Sequence, residues 1–152
     1  MNYMVTGGAG FIGTNLVVRL LKDGHKVRVF DNFSAGRRED RIQKDAEYFE
    51  GDIRKMEDLQ KAMKGIDGVF HMAAVPRVTY SVEHPVETNE NNISGTLNVL
   101  VAARDAGVKR LVFSSSSSVY GGSDGGKLQE DMCGHPLSPY ALHKYTGEMY
   151  CR

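Results

Sequence analysis

The sequence predicts an α/β fold, a doubly wound parallel sheet with helices on both faces. Apolar runs of strand length alternate with segments of helical periodicity along almost the whole chain, and a glycine-rich turn joins the first run to the first helix. Strands separated by helices need right-handed crossovers, which place helices against both faces of a sheet. The chain has 152 residues, 41% of them hydrophobic and 25% charged, and so fits one domain, residues 1–152, with a single core.

The first half of the chain contains four expected strands and two expected helices. Phe11, Leu16 and Leu20 recur at helical spacing up to Gly24, a residue suited to a helix C-terminus. In order, the expected elements are strand Asn2–Thr6, helix 11–23, strand 27–30, an irregular charged segment 32–45, strand 46–50, helix 55–64 and strand Gly68–His71.

The second half contains one expected strand and two longer helices. Pro76 and Pro85 bracket an expected loop. Ser138 and Pro139 open the last helix, because serine is a good N-cap and proline suits the first helical position. The expected elements are helix 86–106, strand 110–114, a serine- and glycine-rich loop 115–137 and a final helix from Ser138 to the end of the sequence at Arg152.

Composition argues against several classes of function. Nineteen basic and nineteen acidic residues leave a formal charge of zero, so we expect no general attraction for nucleic acid or an anionic membrane. No apolar run approaches the roughly 20 residues of a membrane span, and a strand pattern at the start leaves no room for a signal peptide. Cys133 and Cys151 form neither a disulfide framework nor a metal-ligand pattern. We therefore expect a cytoplasmic protein without a metal site.

The turn after the first strand has the pattern of a phosphate-binding loop. Residues 6–13 read TGGAGFIG, with glycines at Gly7, Gly10 and Gly13. Glycine allows a tight turn and a close approach of the backbone to a pyrophosphate, and the following helix offers unpaired N–H groups and the positive end of its dipole. The position of this turn between a strand and an amphipathic helix indicates a dinucleotide site.

Asp31 ends the second strand and bears on the choice of dinucleotide. A carboxylate at this place accepts hydrogen bonds from a ribose 2′-hydroxyl and repels a 2′-phosphate, which favours NAD over NADP. Arg37 and Arg38 lie nearby in the sequence and would soften that repulsion. The alternative interpretation is that Asp31 only caps the following loop.

Further motifs follow in order along the chain. They are residues 51–53 (GDI), 71–74 (HMAA), 92–96 (NISGT), 113–121 (FSSSSSVYG) and 140–144 (YALHK). With the glycine spacing, this set resembles the extended branch of the short-chain dehydrogenase/reductase superfamily, the NAD-dependent nucleotide-sugar epimerases and dehydratases, over essentially the whole chain. The resemblance implies a Rossmann fold and NAD as cofactor.

The resemblance also implies roles for individual residues. Asp52 and Ile53 are similar to the adenine-contacting motif, and Ala73 and Ala74 to the segment along the cofactor. Taken singly, Asp52 also fits a cap of the following turn and Asn92 an ordinary polar helix residue. The residues expected to bind NAD are Gly7, Gly10, Phe11, Ile12, Gly13, Asp31, Asn32, Asp52, Ile53, Ala73, Ala74, Asn92, Tyr140 and Lys144.

Tyr140 and Lys144 are the expected reacting pair, and their spacing of four residues places both on one face of a helix. A free phenol titrates near pH 10, so a phenolate base at pH 7 needs about 4 kcal/mol of stabilisation. The ammonium of Lys144 and the positively charged nicotinamide must supply most of it, because a helix end contributes only about 0.3–1 kcal/mol.

Ser116 is the third expected catalytic residue, by resemblance, and its hydroxyl would hydrogen-bond the substrate oxygen. The run of serines at 114–118 leaves this assignment open by one position. Dehydratases that resemble this chain carry an acidic pair at the next two positions, where this sequence has Ser117 and Ser118. Elimination would lack its proton carriers there, whereas an epimerase needs neither.

The expected reaction is an isomerisation: NAD-dependent epimerisation of a nucleotide sugar at C4 through a transient 4-keto sugar, with Tyr140 as base. UDP-glucose and UDP-galactose are the first expected substrates, followed by UDP-glucuronate and N-acetylated sugars. The alternatives are an NAD-binding module without turnover, and a dehydratase, decarboxylase or reductase of the same superfamily.

Members of the family that this chain resembles are longer than the chain. By that comparison the sheet is truncated before its last strands, and the nucleotide-sugar lobe is absent, as in a fragment, a truncated product or half of a split enzyme. The resemblance also implies a homodimer through the two long helices.

Overall fold

A computed structural model describes residues 1–122 and 126–152. The chain forms two compact units. The first consists of residues 1–73 and 98–114, and the second of residues 74–97 and 115–152. That residues 1–152 make one domain stays a prediction.

The first unit contains a five-stranded parallel sheet in the order β3-β2-β1-β4-β5. Because all strands run in parallel, their carboxyl ends lie at one edge, and the loops that leave this edge are where ligands bind in sheets of this kind. The strands are β1 Asn2–Thr6, β2 Lys26–Asp31, β3 Glu47–Glu50, β4 Gly68–His71 and β5 Arg110–Phe113.

Six α-helices occur in the described residues. They are α1 Phe11–Lys22, α2 Met56–Ala62, α3 Val78–Glu83, α4 Pro85–Asn89, α5 Gly95–Asp105 and α6 Pro139–Tyr150.

Successive residues of the central strand point to opposite faces of the sheet, and helices cover both faces. Met4 is fully buried in a cluster with Leu59 of α2 and Val99 of α5. Val5, the next residue, is fully buried in a second cluster with Val17 of α1. The predicted doubly wound α/β sheet is therefore confirmed.

The second unit is helical. Between α4 and α5 the helix has a π-type segment, Glu90–Ser94, and a 3-10 turn at Ser117–Tyr120 precedes α6. Helix α6 packs against α3, α4, the π-type segment and the 3-10 turn. Single π-type turns inside helices are frequent at functional sites.

One expectation of irregular structure is wrong. The segment between Pro76 and Pro85 contains α3, whose six residues are too few to show a helical period beside two prolines. The described residues of the expected loop at 115–137 are irregular apart from the 3-10 turn, and residues 123–125 lie outside the described residues. The expected helix at 86–106 is present but includes the π-type segment.

Candidate functional site

The glycine turn at the carboxyl end of β1 leaves no space for a side chain at Gly7 or at Gly13. Gly7 has a φ of +68°, and a Cβ there would lie 2.8 Å from the Cα of Ala73. A Cβ on Gly13 would overlap the carbonyl oxygen of Gly7. The N–H of Gly10 donates to that same carbonyl at 3.1 Å, which closes the turn. The turn is therefore as tight as a pyrophosphate loop requires.

Helix α1 begins directly after this turn. Gly10 is its N-cap and supplies no side-chain hydrogen bond to the first turn. The first N–H groups of a helix have no acceptor within the helix, so an anion is their natural partner. Phe11 and Ile12 are 72% and 65% exposed at this end. The residues present thus fit the pyrophosphate of a dinucleotide.

The carboxylate of Asp31 is tied to two backbone segments. It accepts hydrogen bonds from the N–H groups of Ala9 in the glycine turn, at 3.0 Å, and of Phe33, at 2.8 Å. Asp31 therefore does cap the loop after β2, and it also holds the glycine turn. A carboxylate has about four acceptor sites, so ribose hydroxyls can still be accepted.

The two arginines after Asp31 are matched by acidic neighbours. Arg37 forms an ion pair with Glu39 at 3.4 Å, and Arg38 forms one with Asp40 at 2.8 Å. These pairs offset the positive charge that was expected to soften the repulsion of a 2′-phosphate.

Asn32 and Asp52 meet after the ends of β2 and β3. The Asn32 amide donates to the Asp52 carboxylate at 3.5 Å, and the Arg54 guanidinium pairs with the same carboxylate at 2.6 Å. The hydrogen bonds from Arg54 hold the pKa of Asp52 at about 2. Asp52 also accepts the Arg54 N–H and so caps its turn, while Ile53 is buried in the core.

Thr6, the first residue of the motif at residues 6–13, connects the ends of β1 and β4. Its hydroxyl oxygen lies 2.6 Å from Nδ1 of the fully buried His71 and accepts the N–H of Ala73 at 3.2 Å. This holds Ala73 against Gly7, where it limits the space of the turn. A threonine at the end of a strand carries no sequence signal for this role.

In the second unit, α6 carries Tyr140 and Lys144. Tyr140 is half-buried and Lys144 is only 5% exposed. Burial lowers the pKa of the Lys144 ammonium from 10.5 to about 8. A charge in such a place is little screened by water and acts strongly on its neighbours.

Two serines satisfy consecutive N–H groups in the first turn of α6. Ser138, the expected N-cap, accepts from the N–H of Ala141 at 3.1 Å. Ser81 of α3 accepts from the N–H of Tyr140 at 3.0 Å and donates to the Val78 carbonyl at 2.6 Å. Sequence reasoning missed Ser81 because its segment was interpreted as a loop.

Asn92 is buried in the π-type segment, and its amide is used by the chain itself. Its Oδ1 accepts the N–H of Val75 at 2.8 Å, and its Nδ2 donates to the Val75 carbonyl at 3.1 Å. Nδ2 also lies 3.4 Å from Nδ1 of His143. Burial lowers the pKa of the His143 imidazole. Asn92 thus fixes the backbone next to the half-buried Ala74.

Ser116 starts the 3-10 turn, which packs against α6. Its hydroxyl accepts hydrogen bonds from Ser118. The preceding Ser115 donates to the carboxylate of Glu148 on α6. The serine segment is therefore fixed to the helix that carries Tyr140 and Lys144.

The structure groups the expected residues in two sets. In the first unit they lie at or after the carboxyl ends of the strands: Gly7, Gly10, Phe11, Ile12, Gly13, Asp31, Asn32, Asp52, Ile53 and Ala73. In the second unit they are Ala74, Asn92, Ser116, Tyr140 and Lys144. Within the described parts of the chain, no cluster of three or more His, Cys, Asp or Glu side chains fits a metal ion, and no helix is long and apolar enough to cross a membrane.

The chain is similar to known proteins along almost its whole length. Residues 3–152 match the model of the NAD dependent epimerase/dehydratase family. UDP-glucose 4-epimerase 3 of Oryza sativa subsp. japonica is 40% identical over 161 residues, covering 98% of this chain and 43% of that protein. The UDP-glucose 4-epimerase of Thermus thermophilus, solved in complex with NAD, has a TM-score of 0.93 and 40% identity over 99% of this chain and 49% of its own.

A second solved relative is named for a different substrate. The UDP-N-acetylglucosamine 4-epimerase of Methanobrevibacter ruminantium, in complex with UDP-N-acetylmuramic acid, has a TM-score of 0.90 and 38% identity over 98% of this chain and 48% of its own. The chain spans about half the length of the curated relatives it matches. The family match extends from β1 to the end of α6, and the chain therefore belongs to the NAD dependent epimerase/dehydratase family.

Proposed function

We propose that this protein is an NAD-dependent epimerase that inverts C4 of a nucleotide-linked hexose. The observation that carries the proposal is the composition of α6 and its surroundings. Tyr140 and the buried Lys144 lie one helical turn apart, and the segment of Ser116 packs against the same helix. A phenol, an ammonium and a hydroxyl together suit the removal and return of an alcohol proton.

The proposed cofactor residues lie mainly in the first unit. The glycine turn and the start of α1 would hold the pyrophosphate, and Asp31 would accept the ribose hydroxyls. The ion pairs of Arg37 and Arg38 with their acidic neighbours support NAD rather than NADP. A bound NAD would supply the hydride acceptor for C4 and the donor for the hydride's return to the other face of the sugar.

Tyr140 is the proposed base. Its phenolate takes the proton of the 4-hydroxyl while the C4–H bond breaks, so that C4 becomes a carbonyl. The neutral phenol later returns the proton to the same oxygen, and the sugar leaves with C4 inverted. The chain is unchanged at the end of this cycle, as an isomerase requires.

Lys144 and Ser116 assist the transfer of the 4-hydroxyl proton to Tyr140. Lys144 stabilises the phenolate electrostatically, and its burial keeps this attraction from being screened. Ser116 donates a hydrogen bond to the 4-oxygen and so holds it beside Tyr140. Ser117 and Ser118 provide no carboxylate for an elimination, which favours epimerisation over dehydration.

UDP-glucose and UDP-galactose are the proposed substrates. UDP-glucose 4-epimerases from several organisms are about 40% identical to this chain, which supports this choice. The N-acetylated substrate in the name of the Methanobrevibacter ruminantium relative supports UDP-N-acetyl sugars as the next candidates.

A homodimer through the two long helices and a cytoplasmic location remain predictions. The dimer is supported by apolar side chains that these helices expose, among them Leu97 of α5 and Leu142 of α6.

The test is UDP-galactose turnover by the purified protein in its full natural length, measured as UDP-glucose formed, beside NAD binding by calorimetry. Tyr140→Phe is expected to lower turnover by about 10³-fold, because positioned acid–base groups contribute about 10²–10⁴-fold. Tyr150→Phe, an exposed tyrosine of the same helix, is the matched control and is expected to keep full activity.

Other outcomes separate the alternatives. Full activity of Tyr140→Phe would exclude this mechanism. NAD binding by the wild type without turnover would select the second candidate, an NAD-binding module. No heat with either oxidised or reduced dinucleotide would contradict both.

A further inference from the structure

The serines that follow β5 are not equivalent, although the sequence makes them look so. Ser115 donates to Glu148, and Ser118 donates to the hydroxyl oxygen of Ser116 at 2.8 Å. Ser117, between them, is exposed. The structure thus distinguishes members of the run by their hydrogen bonds.

The hydroxyl of Ser116 is engaged by Ser118. Its oxygen accepts from the hydroxyl of Ser118 at 2.8 Å and from the backbone N–H of Ser118 at 3.2 Å. A serine hydroxyl has one hydrogen and two acceptor lone pairs. Both lone pairs of Ser116 are therefore engaged by Ser118, and its hydrogen remains for an acceptor elsewhere.

We infer that Ser118 is a positioning residue of the proposed epimerase, acting by fixing Ser116 as a hydrogen-bond donor to the 4-oxygen of the sugar. This inference rests on the proposed function. In the opposite orientation, with Ser116 donating to Ser118, its only hydrogen would be consumed within the turn. Donation by the Ser118 hydroxyl prevents that and also polarises the Ser116 O–H bond, since hydrogen bonds in a chain strengthen one another.

The turn that holds this pair is anchored on both sides. Ahead of it, Ser115 is bound to Glu148 of α6. After Ser118, Val119 of the same turn is buried, and its carbonyl accepts the N–H of His135 at 2.8 Å. The donor geometry is therefore set before any substrate arrives, which is how a protein stabilises a developing charge without reorganisation.

The test is a double-mutant cycle of Ser116→Ala and Ser118→Ala, measured as kcat and KM for UDP-galactose in the full-length protein with NAD. Ser118→Ala is expected to lower kcat about tenfold, the kinetic equivalent of one net hydrogen bond, with KM unchanged. In the Ser116→Ala background the same change is expected to cost nothing further, because Ser118 acts through Ser116.

Two variants control for a merely structural effect. Ser118→Thr keeps the hydroxyl and is expected to restore most of kcat, and Ser117→Ala removes an exposed hydroxyl of the same turn and is expected to be neutral. Additive losses in the cycle, or no recovery in Ser118→Thr, overturn the role of Ser118 while the proposed function stands. Absence of turnover in the wild type overturns the proposed function and this inference with it.

Discussion

At the scale of single residues, the buried ammonium of Lys144 lowers the stability of the folded chain, although the proposed function requires it. Its folded pKa of about 8 lies below the ordinary value of 10.5. Between these two values the unfolded chain binds more protons than the folded chain, so the free energy of unfolding rises with pH. Below pH 8 the folded chain carries the full cost of a buried charge.

Lys144→Met is therefore expected to raise the free energy of unfolding at pH 7, by about 2 kcal/mol after allowance for the contacts that the ammonium loses. The gain should shrink as pH rises from 8 to 10.5. Urea unfolding of the wild type and of Lys144→Met at pH 7, 8.5 and 10 measures this difference in the free energy of unfolding. The same variant should have less than a hundredth of the wild-type turnover, because a phenolate loses its buried counter-charge.

Lys109→Met is the matched control for this prediction, because Lys109 is exposed. It is expected to change neither the stability at pH 7 nor its dependence on pH. A Lys144→Met protein that is less stable than the wild type at pH 7 would show that the contacts of the ammonium outweigh its desolvation.

The glycines of the turn after β1 were easier to predict from sequence than the residues that hold the turn and α6 in place. Gly7 and Gly13 follow from their spacing, because both exclude a Cβ for reasons that any such turn shares. Thr6 and Ser81 have no spacing of their own, and their roles depend on contacts with Ala73 and Tyr140 that only the fold creates. The serine run likewise required hydrogen bonds to tell its members apart.

At the scale of elements, α6 depends on two caps of different origin. Ser138 belongs to the helix itself, whereas Ser81 comes from α3 and is fully buried. Ser81→Ala would leave the N–H of Tyr140 and the carbonyl of Val78 without these partners in a partly buried place. Such a loss costs about 1–3 kcal/mol, against about 1 kcal/mol for an N-cap.

We therefore expect Ser81→Ala to reduce the free energy of unfolding more than Ser138→Ala does, with both measured by urea unfolding at pH 7. The exposed Ser117→Ala is the reference and is expected to be neutral. Equal losses in the free energy of unfolding for Ser81→Ala and Ser138→Ala would mean that water replaces the Ser81 hydroxyl. In that case α3 does not stabilise α6 through this hydrogen bond.

The elements themselves divide by length. The five strands and helices α1, α2 and α6 were predicted within a few residues, and α5 was predicted as the last part of a longer helix, 86–106. Helix α3 has six residues between two prolines, too few for a period to be recognised, and the π-type segment keeps a helical pattern while widening the turn. Short helical segments of this kind are stabilised by packing against neighbouring elements rather than by local helix propensity.

At the scale of the whole molecule, the surface of the second unit supports the proposed homodimer. Leu97 of α5 and Leu142 of α6 are large apolar residues that this unit leaves exposed. Their burial against a second copy would contribute roughly 25 cal/mol for each Å² of apolar surface covered. Light scattering after size exclusion is therefore expected to give the mass of a dimer.

Introducing a charge at this surface is expected to weaken the dimer by at least about 100-fold, because an unpaired ammonium would be desolvated at the centre of an apolar contact. The variants are Leu97→Lys and Leu142→Lys, and the matched control is Val18→Lys, at an exposed apolar residue of α1. A wild-type protein that scatters as a monomer at every concentration would contradict the dimer. Equal weakening by Val18→Lys would instead place the contact on the first unit.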